Sequence, residues 1–161
     1  MSQTVLITGA SNGIGKACAR VFARKGYDLV LVARHREKLE AVKAELSEYD
    51  VQIKVIAMDL TGEDAAVDLY NNLVLDDISI DILNNAGFGD HGAFHDSSWE
   101  KQKKMVLLNI VALMQMTYVF GQSMKRRKKG RILNVASIAG LCAGPYMSTY
   151  YATKAFVLSF S

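Results

Sequence analysis

Short apolar runs alternate with longer amphipathic stretches along this chain. Thr4–Thr8 is apolar and β-branched and predicts a strand. Gly15–Lys25 predicts a helix, with Gly26 as its stop. Asp28–Ala33 is a nearly continuous apolar run, the composition of a strand buried on both faces. Arg36–Tyr49 carries Leu39, Val42 and Leu46 at helical spacing. Val51–Met58 predicts a third strand and Gly62–Leu75 the helix after it. Ile80–Asn84 and Arg131–Ala136 predict a fourth and a fifth strand. Between them lie a polar loop, Phe88–Ser98, and a long helix from about Ser98 to Lys128. A second loop, Ser137–Ser148, leads to a last helix that begins near Thr149 and is still running at Ser161.

Strand alternating with helix implies parallel strands joined by right-handed crossovers, with helices on both faces. The expected class is α/β: a doubly wound parallel sheet in three layers, α/β/α. Ligands of such sheets sit beyond the carboxyl ends of the strands, where the strand order reverses. The motifs below all fall at those ends.

Composition narrows this picture. The 161 residues fit one domain, residues 1–161, and an apolar share of 50% can build a core. A formal charge of +3 is too small a bias to imply a nucleic-acid partner. Cys18 and Cys142 lie far apart and read as reduced, small residues. Met1-Ser2-Gln3 leads straight into the first strand, so no secretory leader is expected. The most apolar long stretch, Val106–Phe120, is interrupted by Asn109 and Gln115 and is expected to be too short for a bilayer. The expectation is a soluble cytoplasmic protein without a membrane partner.

Thr8-Gly9-Ala10-Ser11-Asn12-Gly13-Ile14-Gly15 joins the first strand to the first helix. Glycines there let the backbone approach a phosphate closely, and the helix start offers N–H groups and a positive dipole end. Gly9, Ser11, Asn12, Gly13, Ile14 and Gly15 are therefore expected to hold a dinucleotide. A carboxylate ending the second strand would select NAD through its ribose hydroxyls. Ala33-Arg34 stands there instead, with His35 and Arg36 following, and Arg34 suits a 2′-phosphate. NADP(H) is the expected cofactor, ahead of NAD(H).

Asp59, followed by Leu60, ends the third strand. It either accepts a bond from an adenine amino group, the favoured reading, or caps the next helix. Asn84-Asn85-Ala86-Gly87 ends the fourth strand, where small residues allow close approach to the adenosine ribose. Asn109 lies within an apolar helix and must find partners if buried. It bonds a local carbonyl, or it kinks the helix and holds a water; the residues alone leave both open.

Ser137 follows the fifth strand, and Tyr150 and Lys154 are four apart on one helix face. An ammonium one turn from a phenol favours the phenolate. A tyrosine so placed can serve as acid when a carbonyl is reduced and as base when an alcohol is oxidised. The Ser137 hydroxyl can hold the substrate oxygen. Tyr151 lacks a Lys four residues on, so Tyr150 is the expected acid/base.

These elements together resemble the short-chain dehydrogenase/reductase family: Thr8-Gly9-x-x-x-Gly13-x-Gly15, Asp59, Asn84-Asn85-Ala86-Gly87, Asn109, Ser137 and Tyr150-x-x-x-Lys154. The resemblance implies a Rossmann-type fold and a Ser137–Tyr150–Lys154 catalytic set. It implies that Asn109 supports a proton-relay water and that Lys154 also binds the nicotinamide ribose. Arg34 after Ala33 resembles the NADP-preferring members. The long helix and the last helix would then form the interface of a homodimer or homotetramer. The resemblance also implies that two further strands, nicotinamide contacts and a substrate lid would follow Ser161. On that expectation the domain lacks its last strands, the fifth strand is an exposed edge, and turnover by these 161 residues is weak or absent.

Three functions follow for comparison. The first is an NADP-dependent oxidoreductase acting on a small-molecule carbonyl or secondary alcohol. The second is a nucleotide-sugar epimerase or dehydratase, which the Gly9, Gly13, Gly15 spacing disfavours. The third is a non-catalytic nucleotide-binding fragment. Lys125–Lys129 reads as a solvated helix end that suits the helix dipole. Asp90, His91, His95 and Asp96 match no metal-ligand spacing and read as a substrate-side loop, so no metal is expected. Specificity is expected to depend on Phe88–Ser98 and Ile138–Met147.

Overall fold

The structure is a computed structural model of the chain and describes residues 3–74 and 80–161. Five parallel strands form one sheet: β1 (Thr4–Thr8), β2 (Asp28–Ala33), β3 (Ile53–Ala57), β4 (Ile80–Asn84) and β5 (Ile132–Asn134). Their spatial order is β3-β2-β1-β4-β5, so the order reverses between β1 and β4. Ile7 pairs with Leu31 on one side and Leu83 on the other, which brings the ends of all three strands level.

The period of two along β1 explains why it is apolar throughout. Leu6 joins a core with Val30, Ile82, Leu69, Met116 and Phe120 on one face. Val5 and Ile7 join Leu29, Leu31, Leu39, Val42 and Leu83 on the other. The helices that supply these layers are α1 (Gly13–Arg24) and α2 (Arg36–Glu45) on the second face, and α3 (Ala65–Val74) and α5 (Leu113–Arg127) on the first. α4 (Trp99–Val106) runs into α5 through a wider π-helical segment, Leu107–Ala112. α6 (Ser148–Phe160) completes the described elements.

Several boundaries differ from the sequence expectation. α1 starts at Gly13 rather than Gly15, because Lys16 N–H already bonds the Asn12 carbonyl at 3.1 Å. α2 stops at Glu45 rather than Tyr49; the Ser47 hydroxyl takes the Ala44 carbonyl at 2.7 Å and the chain leaves the helix in turns. β3 and β5 are shorter than expected at both ends. The expected end of α3 at Leu75 and the expected leaderless start at Met1-Ser2 lie outside the described residues. The expectation that the apolar helix is too short for a bilayer is also corrected. By length and composition alone, the 29-residue helical stretch Trp99–Arg127 is long and apolar enough to cross one. In this fold Ala112, Met116, Phe120 and Met124 from that stretch pack against the sheet.

Candidate active site

The turn after β1 is shaped by close backbone approach. A Cβ at Gly9, whose φ is +66, would stand 2.9 Å from Ala86 Cα. One at Gly15 would stand 2.4 Å from the Gly9 carbonyl oxygen. Only glycine lets α1 begin this close to the strand ends. The Asn12 side chain makes no capping bond, which leaves the N–H groups of the first helical turn to an incoming anion.

The ends of β1 and β4 are pinned together. Thr8 Oγ1 accepts the N–H groups of Asn85 at 3.0 Å and Ala86 at 2.9 Å. Asn85 Nδ2 donates back to the Thr8 carbonyl at 3.1 Å and the Gly9 carbonyl at 3.3 Å. Above this floor lie two adjoining cavities that share Gly9, Asn12, Ala86, Gly87 and Phe88. The first, of about 280 Å³, is lined also by Ser11, Arg34, His35, Lys38, Asp59 and Leu60. The second, of about 620 Å³, is lined also by Gly13, Ile14, Asn85, Ser137, Tyr150 and Lys154. A glycine floor, an open helix start and the cations Arg34 and Lys38 along one connected space fit an extended dinucleotide with a charged end.

Asp59 Oδ1 accepts bonds from Thr61 N–H at 3.0 Å and the Thr61 hydroxyl at 2.9 Å. It turns the chain locally rather than capping α3, which starts at Ala65. Partial burial acts to raise its pKa, but the Thr61 bonds and the charges of Arg34 and Lys104 together outweigh this and hold the carboxyl below its usual range. The carboxylate is therefore charged at the rim of the first cavity.

Ser137 sits just beyond β5, and its Oγ accepts the Ala139 N–H at 3.2 Å. Its own proton remains to be donated. Lys154 is buried, 6% exposed, with Nζ donating to the Val135 carbonyl at 2.8 Å and lying 5.9 Å from the centroid of the Tyr150 ring. Burial pushes the Lys154 pKa below its ordinary value.

Asn109 and Gly15, also expected at the site, line neither cavity. Gly15 lies beneath the floor. Asn109 is 1% exposed within the π segment. Of the two alternatives its sequence position suggested, the bond to a local helix carbonyl is not made, and the regular helix is interrupted there by the π segment. Its Oδ1 accepts the Phe88 N–H at 3.1 Å, and its Nδ2 donates to the Phe88 carbonyl at 2.9 Å and to Thr153 Oγ1 at 3.0 Å. The amide clamps the strand-end loop from behind.

Two residues escaped the sequence reading. Lys38 is one turn beyond Arg34 and lines the same cavity. Thr153 links Asn109 to α6, since its hydroxyl donates to the Tyr150 carbonyl at 2.8 Å. The spacing of each from a residue already singled out was the available signal.

The short chain dehydrogenase family matches residues 3–161. The very-long-chain 3-oxoacyl-CoA reductase of Bos taurus is 33% identical over 166 residues, covering 100% of this chain and 53% of that protein. The 17-beta-hydroxysteroid dehydrogenase type 3 of Mus musculus is 38% identical over 170 residues, covering 100% of this chain and 53% of that protein. The chain thus spans about half the length of the curated relatives it matches. Among solved structures, the short-chain dehydrogenase from Sphingobium yanoikuyae in complex with NADPH superposes with a TM-score of 0.92 at 38% identity, over 98% of this chain and 63% of that one. With a family match over nearly its whole length and a shared fold at this identity, the chain belongs to the short-chain dehydrogenase family.

Proposed function

We propose that the protein is an NADP(H)-dependent oxidoreductase interconverting a carbonyl and a secondary alcohol. The observation that carries this reading is that Ser137, Tyr150 and Lys154 line the same cavity as the start of α1. In this reading Gly9, Ser11, Asn12, Gly13 and Ile14 receive the pyrophosphate. Arg34 and Lys38 pair with the 2′-phosphate. Asp59 and Leu60 meet the adenine, and Asn85, Ala86 and Gly87 meet the adenosine ribose. When bound, the nicotinamide supplies or accepts the hydride. The Ser137 hydroxyl holds the substrate oxygen through a hydrogen bond and keeps its proton. Tyr150 gives its phenolic proton to that oxygen in reduction and takes it back in oxidation. Lys154, fixed on the Val135 carbonyl, brings positive charge beside the Tyr150 ring and also binds the nicotinamide ribose. Asn109 supports the proton-relay water while its side chain holds Phe88 in place.

The names of the bovine and murine relatives support carbonyl and hydroxyl chemistry, and the NADPH complex of the Sphingobium protein supports the cofactor. A second reading, a nucleotide-binding unit without turnover, uses the same glycine turn and the same cations, Arg34 and Lys38. Fluorescence titration with NADPH and NADH, followed by a carbonyl panel, separates the two. NADPH is expected to bind at least about tenfold more tightly than NADH, and Arg34→Ala to remove about 1.4 kcal/mol of that preference. Equal affinities would end the argument from Arg34. Tight NADPH binding with no ketone reduced would leave the second reading. The proposal extends to a cytoplasmic homo-oligomer, supported for self-association by exposed Val111, Met114, Tyr118, Leu158 and Phe160 and for location by the sequence alone.

A further inference from the structure

Thr8, Asn84 and Asn134 form a polar row across the carboxyl end of an otherwise apolar sheet face. Leu6 and Ile82 join the core beneath Met116 and Phe120 of α5. Side chains two residues apart on a strand share a face, so Thr8 and Asn84 lie on that same side. Asn84 is opposite Asn134 in the register of β4 and β5. One step beyond the Ile7–Leu83 pair sets Thr8 beside Asn84. Thr8 and Asn84 are 2% and 3% exposed, so bulk water does not reach them and each polar atom needs a fixed partner.

The hydrogen bonds along the row run in one direction, set at its far end. The Ser161 hydroxyl donates to the Val157 carbonyl at 2.7 Å, so its oxygen accepts Asn134 Nδ2 at 3.0 Å. That turns Asn134 Oδ1 towards β4, where it accepts Asn84 Nδ2 at 2.9 Å. Asn84 Nδ2 also donates to Thr117 Oγ1 at 3.2 Å. Both amide protons of Asn84 are therefore used on the β5 side, and its Oδ1 is turned back towards β1. That oxygen is buried and has no hydrogen-bond partner among the described residues. Thr8 has the complementary shortfall. Its oxygen accepts the Asn85 and Ala86 N–H groups, which fills both lone pairs. Its proton meets only the Leu83 carbonyl at 3.5 Å, beyond the length of a sound O–H···O bond. An unpaired acceptor and a weakly paired donor thus stand on neighbouring strands. A cavity of about 10 Å³ is lined by both residues, with Ala112 and Met116 above them.

We propose that this cavity is a binding site for one water molecule, which donates to Asn84 Oδ1 and accepts the Thr8 hydroxyl proton. The volume suits a single water, and two polar partners suffice to hold one among apolar side chains. The residues lining the cavity are all uncharged, which disfavours an ion. The same water orients the Thr8 hydroxyl, the group that pins β4 to β1, and so completes the cleft floor from below. Leu60, Ala86 and Leu108 line both this cavity and the larger one of about 280 Å³, and form the partition between the water and that space. The site does not depend on the oxidoreductase reading, because the pin and the cavity belong to the fold itself.

A crystal structure of the 161-residue chain that resolves ordered water tests this directly. One peak is expected within about 3.0 Å of both Asn84 Oδ1 and Thr8 Oγ1. No peak there, or a protein donor on Asn84 Oδ1, would overturn the proposal. Cross-relaxation between water and protein gives a second measurement in solution. The Ala112 methyl, which lines the cavity, is expected to show an Overhauser effect to water of the sign that marks a long-lived water. Asn84→Leu removes the acceptor at similar size and is expected to abolish that signal while the circular-dichroism spectrum stays folded. A signal that survives in folded Asn84→Leu would come from solvent exchange of the Thr8 hydroxyl and would overturn the water. So would the lack of any signal in the unsubstituted chain. If Asn84→Leu does not fold, the crystallographic peak alone decides.

Discussion

Lys154 carries an ammonium into a position 6% exposed to solvent, and its carbonyl partner on Val135 offsets only part of the desolvation. Its folded-state pKa therefore lies below the ordinary 10.5. In the unfolded chain Lys154 keeps its proton up to about that value. As pH rises from the folded pKa towards 10.5, the unfolded state binds more protons than the folded one, so stability attributable to Lys154 increases with pH. Below the folded pKa the buried charge is a constant cost. Lys154→Met removes this group. The stability of the unsubstituted chain minus that of Lys154→Met, from urea midpoints at several pH values, is expected to climb as pH approaches 10.5. A flat or falling difference would remove burial as the cause. The same variant is expected to lose turnover by at least about 100-fold if Lys154 assists Tyr150.

At the scale of elements, the junction between β1 and α1 sets the geometry of the whole floor. Gly15→Ala puts a Cβ 2.4 Å from a backbone oxygen that no rotamer can move away. The helix must shift off the strand end. A stability cost of about 1–3 kcal/mol is expected, together with at least a tenfold weaker NADPH affinity in the same fluorescence titration. NADPH binding equal to that of the unsubstituted chain would mean that the α1 start does not hold the phosphates. The five strands were legible because each is a compact apolar run bounded by turn residues, and the parallel topology followed from their alternation with helices. The meeting of Ser137, Tyr150 and Lys154 in one cavity was legible because Tyr150 and Lys154 are local to one helix and Ser137 follows a strand. The partners of Asn109 were not: Phe88 is 21 residues before it and Thr153 is 44 after, and no periodicity encodes a bond across such distances. The π segment was hidden for the same reason, since Leu107–Ala112 reads as ordinary helix and widens where Asn109 reaches outward. Tyr146 in a left-handed conformation was equally unreadable, because nothing in its own side chain favours that region.

For the molecule as a whole, the central strands β1, β2 and β4 are buried on both faces, yet Leu133 on β5 and some helix surface stay apolar and open. Val111, Met114 and Tyr118 lie at spacings of three and four on one helix face and are 39%, 41% and 67% exposed. On the proposed self-association, light scattering is expected to give a dimer or larger mass, and Met114→Glu with Tyr118→Glu to return a monomer without loss of the folded circular-dichroism signal. A monomer mass for the unsubstituted chain at all concentrations would remove the expectation. The pinned ends of β1 and β4 have a different consequence. Thr8 and Asn85 fix the cleft floor through bonds that involve neither the loop after Gly87 nor the loop after Ser137. Floor and walls are therefore separately mutable. Drift in the two loops can trade one substrate for another while the nucleotide half keeps its shape, so this architecture can diversify its chemistry without renegotiating its foundation.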